Sequence, residues 1–414
     1  MSRLNPKKRI EKTKFYSWKI GEMAKGCQHC VKGEKSVFFI TGLCSNHCFY
    51  CPISDVKKNK DVVYINEWPT RDEKEIIKEI RLCKSKGVGI TGGDPLVVEK
   101  RAVEWVKKLK KEFGKRFHVH LYTPLNIVDD KKLDELWKAG LDEIRFHPSL
   151  ETNKNWQKLE KALEHKWDVG IEIPAMPGYE KITKELIDYI DLINHKGMKS
   201  KIKFINLNEL EIADNKFNKL ASMGYKTKDR LSYAVKGSEE MAFMLMGYIS
   251  KKGYKLNVHY CTATLKDKVQ MAKRIRKRAE SIALPGDIIT EQGTLIRGVV
   301  YLSSLKPDYG YRKKLRGIKQ NKKKKAKIIG QLTKIKKGIC KNFKIGSKMM
   351  NMDENKLRLL TSPENAEKIR DAIDENLLKN ALKDRKLLGM KDVFLAIVEE
   401  YPTYDGFEVE VEYL

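Results

Sequence analysis

Residues 36–51 read SVFFITGLCSNHCFYC. The stretch Ser36–Thr41 is rich in β-branched and aromatic residues and predicts a buried strand. Cys44 follows the end of this strand by three residues, and Cys48 and Cys51 come next, at the spacing C-x3-C-x2-C. Three thiolates this close together can bind three irons of a 4Fe–4S cluster and leave the fourth iron open. A zinc site is the alternative, because zinc usually takes four ligands and His47 lies inside the loop.

Downstream of this strand, short β-rich runs alternate with amphipathic helical runs as far as about residue 262. Such alternation predicts an α/β fold, a parallel sheet with helices outside, and six or seven units predict a partial or complete (β/α) barrel. Barrels of this kind place their chemistry on the loops that follow the strands. The predicted strands are Ser36–Thr41, Val88–Thr91, His118–Tyr122, Glu143–Phe146, Val169–Pro174, Lys203–Leu207 and Leu256–Tyr260.

The second predicted strand ends in Gly92-Gly93-Asp94-Pro95. Glycines at this point allow a close backbone approach, either to a ligand or simply within a tight strand-to-helix turn. Asp94 fits a ligand-binding motif, and it also fits a helix cap, which is a common role for aspartate.

The cysteine spacing, with Tyr50 before the last cysteine, resembles the signature of the radical S-adenosylmethionine (radical SAM) superfamily. Gly92-Gly93-Asp94 resembles the family's GGE motif, with Asp in place of Glu. The resemblance covers about residues 36–262. It implies a 4Fe–4S cluster, S-adenosylmethionine bound at the open iron with Gly92, Gly93 and Asp94 at its methionine end, a 5′-deoxyadenosyl radical, and a ferredoxin or flavodoxin as electron donor.

Residues 26–54 and 89–96 are similar, more narrowly, to a little-characterised group related to pyruvate formate-lyase activating enzyme. The resemblance also implies that polar side chains at the strand ends contact the cofactor. Taken singly, each of them could equally be a structural hydrogen-bonding residue, and none is assigned as catalytic. Besides Tyr50 and the glycine motif, the cofactor-binding candidates are Tyr122, Thr123, His147, Glu172 and Asn208.

A second metal site is predicted at Cys27, Cys30 and Cys261. The first two precede the first strand and the third follows the last, and these two strands can be neighbours in a barrel. The site would hold a second 4Fe–4S cluster, or zinc with His259 or His29 as the fourth ligand. The alternatives are a redox-active thiol pair and a coincidence of spacing.

The C-terminal third is strongly basic. The chain carries a net charge of +29, and Tyr311–Lys348 holds sixteen Lys or Arg and no Asp or Glu. Such a surface favours polyanions, and RNA is the predicted partner; a solvated lysine-rich tail is the alternative. A small α+β unit is predicted after it, with one helix over Pro363–Leu378 and another over Met390–Glu399.

These patterns predict four segments: residues 1–35 with the CxxC pair, a barrel over 36–280, a hairpin and basic region over 281–348, and the α+β unit over 349–414. We expect an enzyme that modifies tRNA or rRNA. The alternatives are modification of a protein or peptide, as glycyl-radical activases perform, small-molecule chemistry, and a non-enzymatic metal-containing RNA-binding module. Without an apolar run or a signal peptide, we expect a cytoplasmic protein with reduced thiols and no membrane partner.

Overall fold

The computed structural model of the chain describes residues 9–378 and 393–414. The chain divides into two compact units, Met1–Arg274 and Ile275–Leu414, called unit 1 and unit 2 below. This division is coarser than the four segments expected from the sequence, which stay a prediction.

Unit 1 contains one sheet of eleven strands among its described residues. The strands are β1 (Glu11–Lys12), β2 (Trp18–Ile20), β3 (Lys35–Phe39), β4 (Tyr64–Ile65), β5 (Trp68–Pro69), β6 (Gly87–Thr91), β7 (His118–Pro124), β8 (Glu143–His147), β9 (Asp168–Ala175), β10 (Ile202–Glu209) and β11 (Asn257–Cys261). The helices are α1 (Lys25–Val31), α2 (Glu73–Leu82), α3 (Glu99–Phe113), α4 (Asp130–Ala139), α5 (Lys158–Ala162), α6 (Glu180–Asn194), α7 (Ser238–Lys252), α8 (Ala263–Leu265) and α9 (Ala272–Ile282), in which the unit boundary falls.

The order in the sheet is β1-β2-β11-β10-β9-β8-β7-β6-β3-β4-β5. The seven strands from β11 to β3 run parallel, and they are the seven predicted strands, with ends shifted by at most two residues. Helices connect successive strands because their apolar stripes need a sheet face to cover. In α3, for example, Ala102, Val106 and Leu109 lie on one face and are fully buried.

The sheet is open, so the barrel is partial. Five strands separate β3 from β11, and the expectation that the first and last parallel strands are neighbours is wrong. Each of these two strands instead pairs on its other side with an antiparallel strand, β4 or β2. Those edge pairings take up the hydrogen bonds that barrel closure would have used.

Helix α1 occupies the region between the two ends of the parallel sheet. It contacts β3, β6 and β7 on one side, and on another it contacts the π-helical turn Lys266–Met271, which follows β11. The short helix thus connects the beginning and the end of the parallel sheet, which do not touch as strands.

Unit 2 is an α+β unit. Its described strands are β12 (Ile288–Ile289), β13 (Leu295–Leu302), β14 (Asn351–Asp353), β15 (Arg358–Thr361), β16 (Val393–Glu400) and β17 (Glu408–Tyr413), and its described helices are α10 (Tyr311–Gln320), α11 (Lys322–Asn342) and α12 (Pro363–Leu378). The strands form an antiparallel sheet in the order β14-β15-β13-β16-β17, with β12 paired to β13.

Two expectations for this unit meet different outcomes. The predicted helix over Met390–Glu399 is wrong, since 393–400 form β16 and residues 390–392 lie outside the described residues. β16 is β-rich in composition and pairs with β13 and β17, and this pairing decides its conformation.

The basic region forms α10 and α11, whose buried Leu315, Leu332 and Ile339 join the core of unit 2.

None of the helices in the described residues has the length and apolar character needed to cross a membrane.

Candidate functional site

The cysteine loop follows β3 and is half-buried. Cys44 and Cys48 are partly exposed and Cys51 is buried. Asn46 organises the loop, because its backbone N–H lies 3.4 Å from Sγ of Cys44 and its side-chain amide lies 3.3 Å from Sγ of Cys48. Burial raises the pKa of the Cys44 and Cys48 thiols above the ordinary value, so without a metal both are protonated at neutral pH. Metal binding here would release those protons.

The glycine motif packs directly on the backbone of this loop. The N–H of Gly93 donates to the carbonyl of Thr41 and the N–H of Asp94 donates to the carbonyl of Leu43, both at 2.8 Å. A Cβ at Gly93 would lie 2.2 Å from the Leu43 carbonyl oxygen, and one at Gly92 would lie 2.3 Å from that of Thr41. Glycine is therefore required at both positions for the motif to approach the loop.

Asp94 is fully buried and joins three elements. Its carboxylate accepts hydrogen bonds from the hydroxyl of Ser45 at 2.5 Å, from the hydroxyl of Thr123 at 2.8 Å and from the N–H of Leu96 at 3.0 Å. The bond to Leu96 caps the 3₁₀ turn Pro95–Val98. The carboxylate is thus engaged by donors of its own chain, and it fixes the cysteine loop against β7.

Tyr50 and His147 join the cysteine loop to the ends of β8 and β9. Nδ1 of His147 lies 2.7 Å from the backbone oxygen of Glu172, which can only accept. Nδ1 therefore carries the proton, and Nε2 accepts from the hydroxyl of Tyr50 at 2.8 Å. Burial lowers the pKa of His147, which keeps the ring neutral and this orientation fixed.

The segment after β10 also contacts the cysteine loop, which sequence reasoning missed. The amide of Asn215 donates to the carbonyl of Cys51 at 3.1 Å, and the N–H of Lys219 donates to that of Phe49 at 2.7 Å. The run Asp214–Asn218 lacks a periodic apolar pattern, and its polar composition gives no signal of this contact.

A second set of polar side chains lies, buried or half-buried, on one face of the parallel sheet. We call this set the chamber, and its members are Lys35, His120, Tyr122, Glu143, Arg145, Glu172, Asn206 and Asn208. Arg145 lies at its centre: it donates to Glu143 at 2.5 Å and to Glu172 at 2.8 Å. Glu172 also accepts from the amides of Asn206 and Asn208, each at 3.1 Å. Burial by itself raises the pKa of both carboxyls, but Arg145 outweighs it, so that of Glu143 falls to about 2 and that of Glu172 is also lowered.

Lys35 is a chamber residue that the sequence analysis missed. Only 9% of it is exposed, and its ammonium donates to the hydroxyl of Tyr122 at 3.2 Å. That hydroxyl also lies 3.1 Å from Nε2 of His120 and 3.4 Å from Arg145. Lys35 is the first residue of β3, and because side chains alternate along a strand it lies on the same face as Val37 and Phe39. This alternation could have placed Lys35 in the chamber from the sequence.

Cys27, Cys30 and Cys261 are all buried next to the chamber. The thiol of Cys27 accepts from the amide of Asn206 at 3.3 Å. Burial raises the pKa of Cys27, and it raises that of Cys261 to about 12 although the Lys266 ammonium acts in the opposite direction.

The predicted site residues thus form two groups. Tyr50, Asp94, Thr123 and His147 surround the cysteine loop, whereas Tyr122, Glu172 and Asn208 belong to the chamber. The described residues contain no group of three or more His, Cys, Asp or Glu already arranged around a metal position, at either cysteine trio.

The donor set of the loop nevertheless fits an iron–sulfur cluster. It offers three sulfur ligands on one short loop, while the side chain of His47 is exposed to solvent. The Gly92–Asp94 backbone borders the same loop, so a ligand at an open iron would meet it directly.

Comparison with known proteins identifies related chains. Residues 38–193 match the model described as "Radical SAM superfamily". A protein of Methanocaldococcus jannaschii named "Putative glycyl-radical enzyme activating enzyme" is 42% identical over 298 residues, which cover 69% of this chain and 76% of that protein.

Two solved structures are similar at a lower level. SuiB of Streptococcus suis is 14% identical, with a TM-score of 0.40, over 55% of this chain and 49% of that chain. Methylornithine synthase (PylB) is 16% identical, with a TM-score of 0.35, over 55% of this chain and 71% of that chain. The chain thus spans about half the length of SuiB, and similarities this weak carry no argument about activity.

Proposed function

Because the chain belongs to the radical SAM superfamily, and is thereby an enzyme that uses a 4Fe–4S cluster and S-adenosylmethionine, we propose that it activates a partner protein by removing a hydrogen atom from a glycine of that partner. The observation that carries the proposal is the 42% identity, over most of its length, to a protein named as an activating enzyme for glycyl-radical enzymes.

In this proposal Cys44, Cys48 and Cys51 would hold the cluster, which with S-adenosylmethionine would supply the radical chemistry and release methionine. Gly92 and Gly93 would border the methionine end; the N–H groups of Gly93 and Asp94 are already used by the loop, which leaves backbone carbonyls as the groups available there. Ser45, Asp94 and Thr123 fix the loop against β7, and Tyr50 and His147 fix it against β8.

When bound, the cofactor would supply the radical that accepts one hydrogen atom from the Cα of glycine, so that 5′-deoxyadenosine and a glycyl radical on the partner would be the products. A ferredoxin or flavodoxin would supply the electron consumed in each turnover. The chain's own task is to hold the reactants close together and to keep water and other donors away.

The RNA substrate expected from the sequence has weaker support. The named relative favours protein activation, and RNA binding by α10 and α11 stays a prediction from charge. Most of their cationic side chains point to solvent, which suits any polyanion. Loss of RNA co-purification at high salt would show that this surface binds through counterion release.

A label-transfer experiment separates the two substrate classes. The reconstituted protein is incubated under anaerobic conditions with S-adenosylmethionine, dithionite and an extract of its source organism grown on Cα-dideuterated glycine. We expect deuterium in 5′-deoxyadenosine, and we expect the label to persist after ribonuclease treatment and to disappear after protease treatment. The Cys48→Ala variant is the control and should transfer none. Transfer that ribonuclease abolishes would overturn the proposal in favour of RNA.

A further inference from the structure

We propose that Cys27, Cys30 and Cys261 form a second metal centre beside the chamber of unit 1, one that binds a thiophilic metal as a zinc ion or as an iron–sulfur cluster. It is separate from the cysteine loop, and it does not depend on the proposed substrate.

The fold brings the helix that carries Cys27 and Cys30 to the turn that follows Cys261, by a route other than barrel closure. Cys27 and Cys30 are three residues apart on α1, so they share one face of the helix. Helix α1 contacts the π-helical turn that follows β11, and Val31 of α1 packs in the same buried apolar cluster as Cys261. The helix therefore carries both thiols of the CxxC pair to the end of the last parallel strand.

The site also contains ring nitrogens without a partner. Among the described residues, Nδ1 of His120 and Nδ1 of His259 have no hydrogen-bond partner, and the two residues are 0% and 2% exposed. A Cβ built on Gly26 would lie 2.8 Å from Nδ1 of His120, so this nitrogen faces α1 immediately beside Cys27. A buried imidazole nitrogen left unpaired is costly, and coordination to a metal would satisfy it.

The position of His259 offers a second possible nitrogen ligand. His259 pairs in register with Asn206, whose amide donates to the Cys27 thiol, and it lies two residues before Cys261. His29, the other fourth ligand expected from the sequence, has its Nδ1 3.5 Å from the carboxylate of Glu34. At that distance Nδ1 of His29 also lacks a hydrogen-bond partner among the described residues, so His29, His120 and His259 are all candidates for the nitrogen ligand.

The charges of the chamber sum to zero, with Lys35 and Arg145 against Glu143 and Glu172, but they are unevenly paired. Both carboxylates contact Arg145. Within the described part of the chain no carboxylate forms an ion pair with the buried ammonium of Lys35. Three thiolates around a zinc ion, or around an iron–sulfur cluster, carry a net negative charge that would be attracted to Lys35.

A lone buried cysteine in the same unit provides the contrast. The thiol of Cys83 lies 3.3 Å from both Glu79 and the amide of Asn66, inside an ordinary hydrogen-bonded network. It has no second thiol near it in the sequence, so it serves as the matched control.

The test starts from the variant C44A/C48A/C51A, which removes the cysteine loop as a metal site. The full chain is reconstituted anaerobically with ferrous iron and sulfide, or with zinc alone, and desalted. We expect about one zinc or about four irons per chain to remain. Adding C27A/C30A/C261A should remove that metal, whereas adding C83A should not. No metal in the starting variant, or equal metal in all three proteins, would overturn the inference.

A second measurement needs no change near the chamber. The variant C44A/C48A/C51A is titrated with cobalt(II), which reports thiolate ligands by intense charge-transfer absorption. Appearance of these bands supports the centre even if the chamber variants fail to fold. If the starting variant is folded but shows no cobalt charge-transfer bands and retains no iron, the inference is overturned. Failure of the proposed function would instead appear as absent glycine label transfer in a protein that retains both metals.

Discussion

Each unit of this protein buries a network of cations and carboxylates, but the two networks are completed differently. In unit 2, Glu400 accepts from Arg297 at 2.9 Å, from Lys356 at 3.0 Å and from Arg358 at 2.5 Å. Each of these cations also contacts another carboxylate, namely Asp287, Glu408 or Asp353. Every buried cation of this cluster is therefore paired within the fold.

The chamber of unit 1 is not completed in this way. Among the described residues, the buried side-chain atoms without a hydrogen-bond partner all belong to unit 1, and they include nitrogens of His120 and His259. Lys35 is buried against a tyrosine hydroxyl rather than a carboxylate. A closed network stabilises one conformation, whereas an open one marks a place where a ligand completes the bonding.

The largest expected effect is on chemistry in unit 1. Replacing Cys48 with Ala should abolish 5′-deoxyadenosine formation, because a cluster that loses one of three thiolate ligands is no longer held. Activity is measured by chromatography of the nucleoside products, and the cluster by its absorbance. The matched control is Cys340→Ala, which removes a partly exposed thiol of unit 2 and should leave turnover unchanged. Retained turnover in Cys48→Ala would refute this ligand.

The largest expected effect on stability is in unit 2. Replacing Glu400 with Gln leaves Arg297, Lys356 and Arg358 without their common carboxylate, which should cost about 3–5 kcal/mol of unfolding free energy. Urea unfolding followed by circular dichroism measures the loss, and 5′-deoxyadenosine formation at low temperature should persist. Glu410→Gln on the exposed side of β17 is the control and should change stability little. Equal stability of the two variants would show that the network is not needed.

Acid should destabilise the Glu400 network of unit 2 and the Glu143 network of the chamber over the same range of pH. Burial by itself raises the pKa of Glu400, but Arg358, Lys356 and Arg297 outweigh it and lower that pKa from 4.5 to about 2, as Arg145 does for Glu143. A folded-state pKa below the unfolded value contributes stability that is complete above 4.5 and is lost as the pH falls toward about 2. Urea midpoints measured from pH 5 down to pH 2 should fall, and Glu400→Gln should flatten part of that slope. An unchanged slope in the variant would contradict the assignment.

A smaller effect is expected where the cysteine loop is fixed to the sheet. Ser45→Ala removes one of the three donors to buried Asp94 and should slow S-adenosylmethionine cleavage by about tenfold, or about 1.4 kcal/mol. Iron content should stay at the wild-type level, because no ligand is removed. Ser45→Thr keeps a hydroxyl and should restore most of the rate. A loss of iron parallel to the loss of rate would indicate a role in cluster retention instead.

The smallest effect on the free energy of unfolding should come from replacing Lys35. The size of this effect tests most directly whether the chamber differs from the paired network of unit 2. Lys35→Met in the metal-free protein removes a buried ammonium for which the described residues offer no carboxylate partner, so stability should change by less than about 1 kcal/mol. Lys356→Met in unit 2 should cost about 3 kcal/mol, because it leaves Glu400 and Glu408 short of a cation. Similar losses in the two variants, measured by urea unfolding, would show that the chamber is completed within the fold.

Much of unit 1 could be predicted from the sequence. Strands such as Val169–Pro174 are short β-rich runs bounded by helical patterns, and this local signal survives in the structure because most residues on both faces of a parallel strand are buried. The cysteine spacing and the glycine motif are also local, so they could be recognised without coordinates.

The strand β16 shows where local signals fail. The helical prediction overrode its β-rich composition, and pairing with β13, which is far away in the chain, and with the nearby β17 decides its conformation. The same limit applies to Lys35 and Glu143, whose role depends on neighbours contributed by other strands.

The sequence by itself determined the chemistry: the thiol spacing, the glycines and the alternation of strands and helices are properties of short segments. Tertiary structure alone decided that the barrel stays open and that α1 brings Cys27 and Cys30 toward Cys261. It also decided that the Asp94 carboxylate accepts hydrogen bonds from Ser45 and Thr123. The physical reason is that edge pairing, burial and hydrogen-bond partners are set by residues distant in the chain, and a local pattern carries no information about which of these will meet.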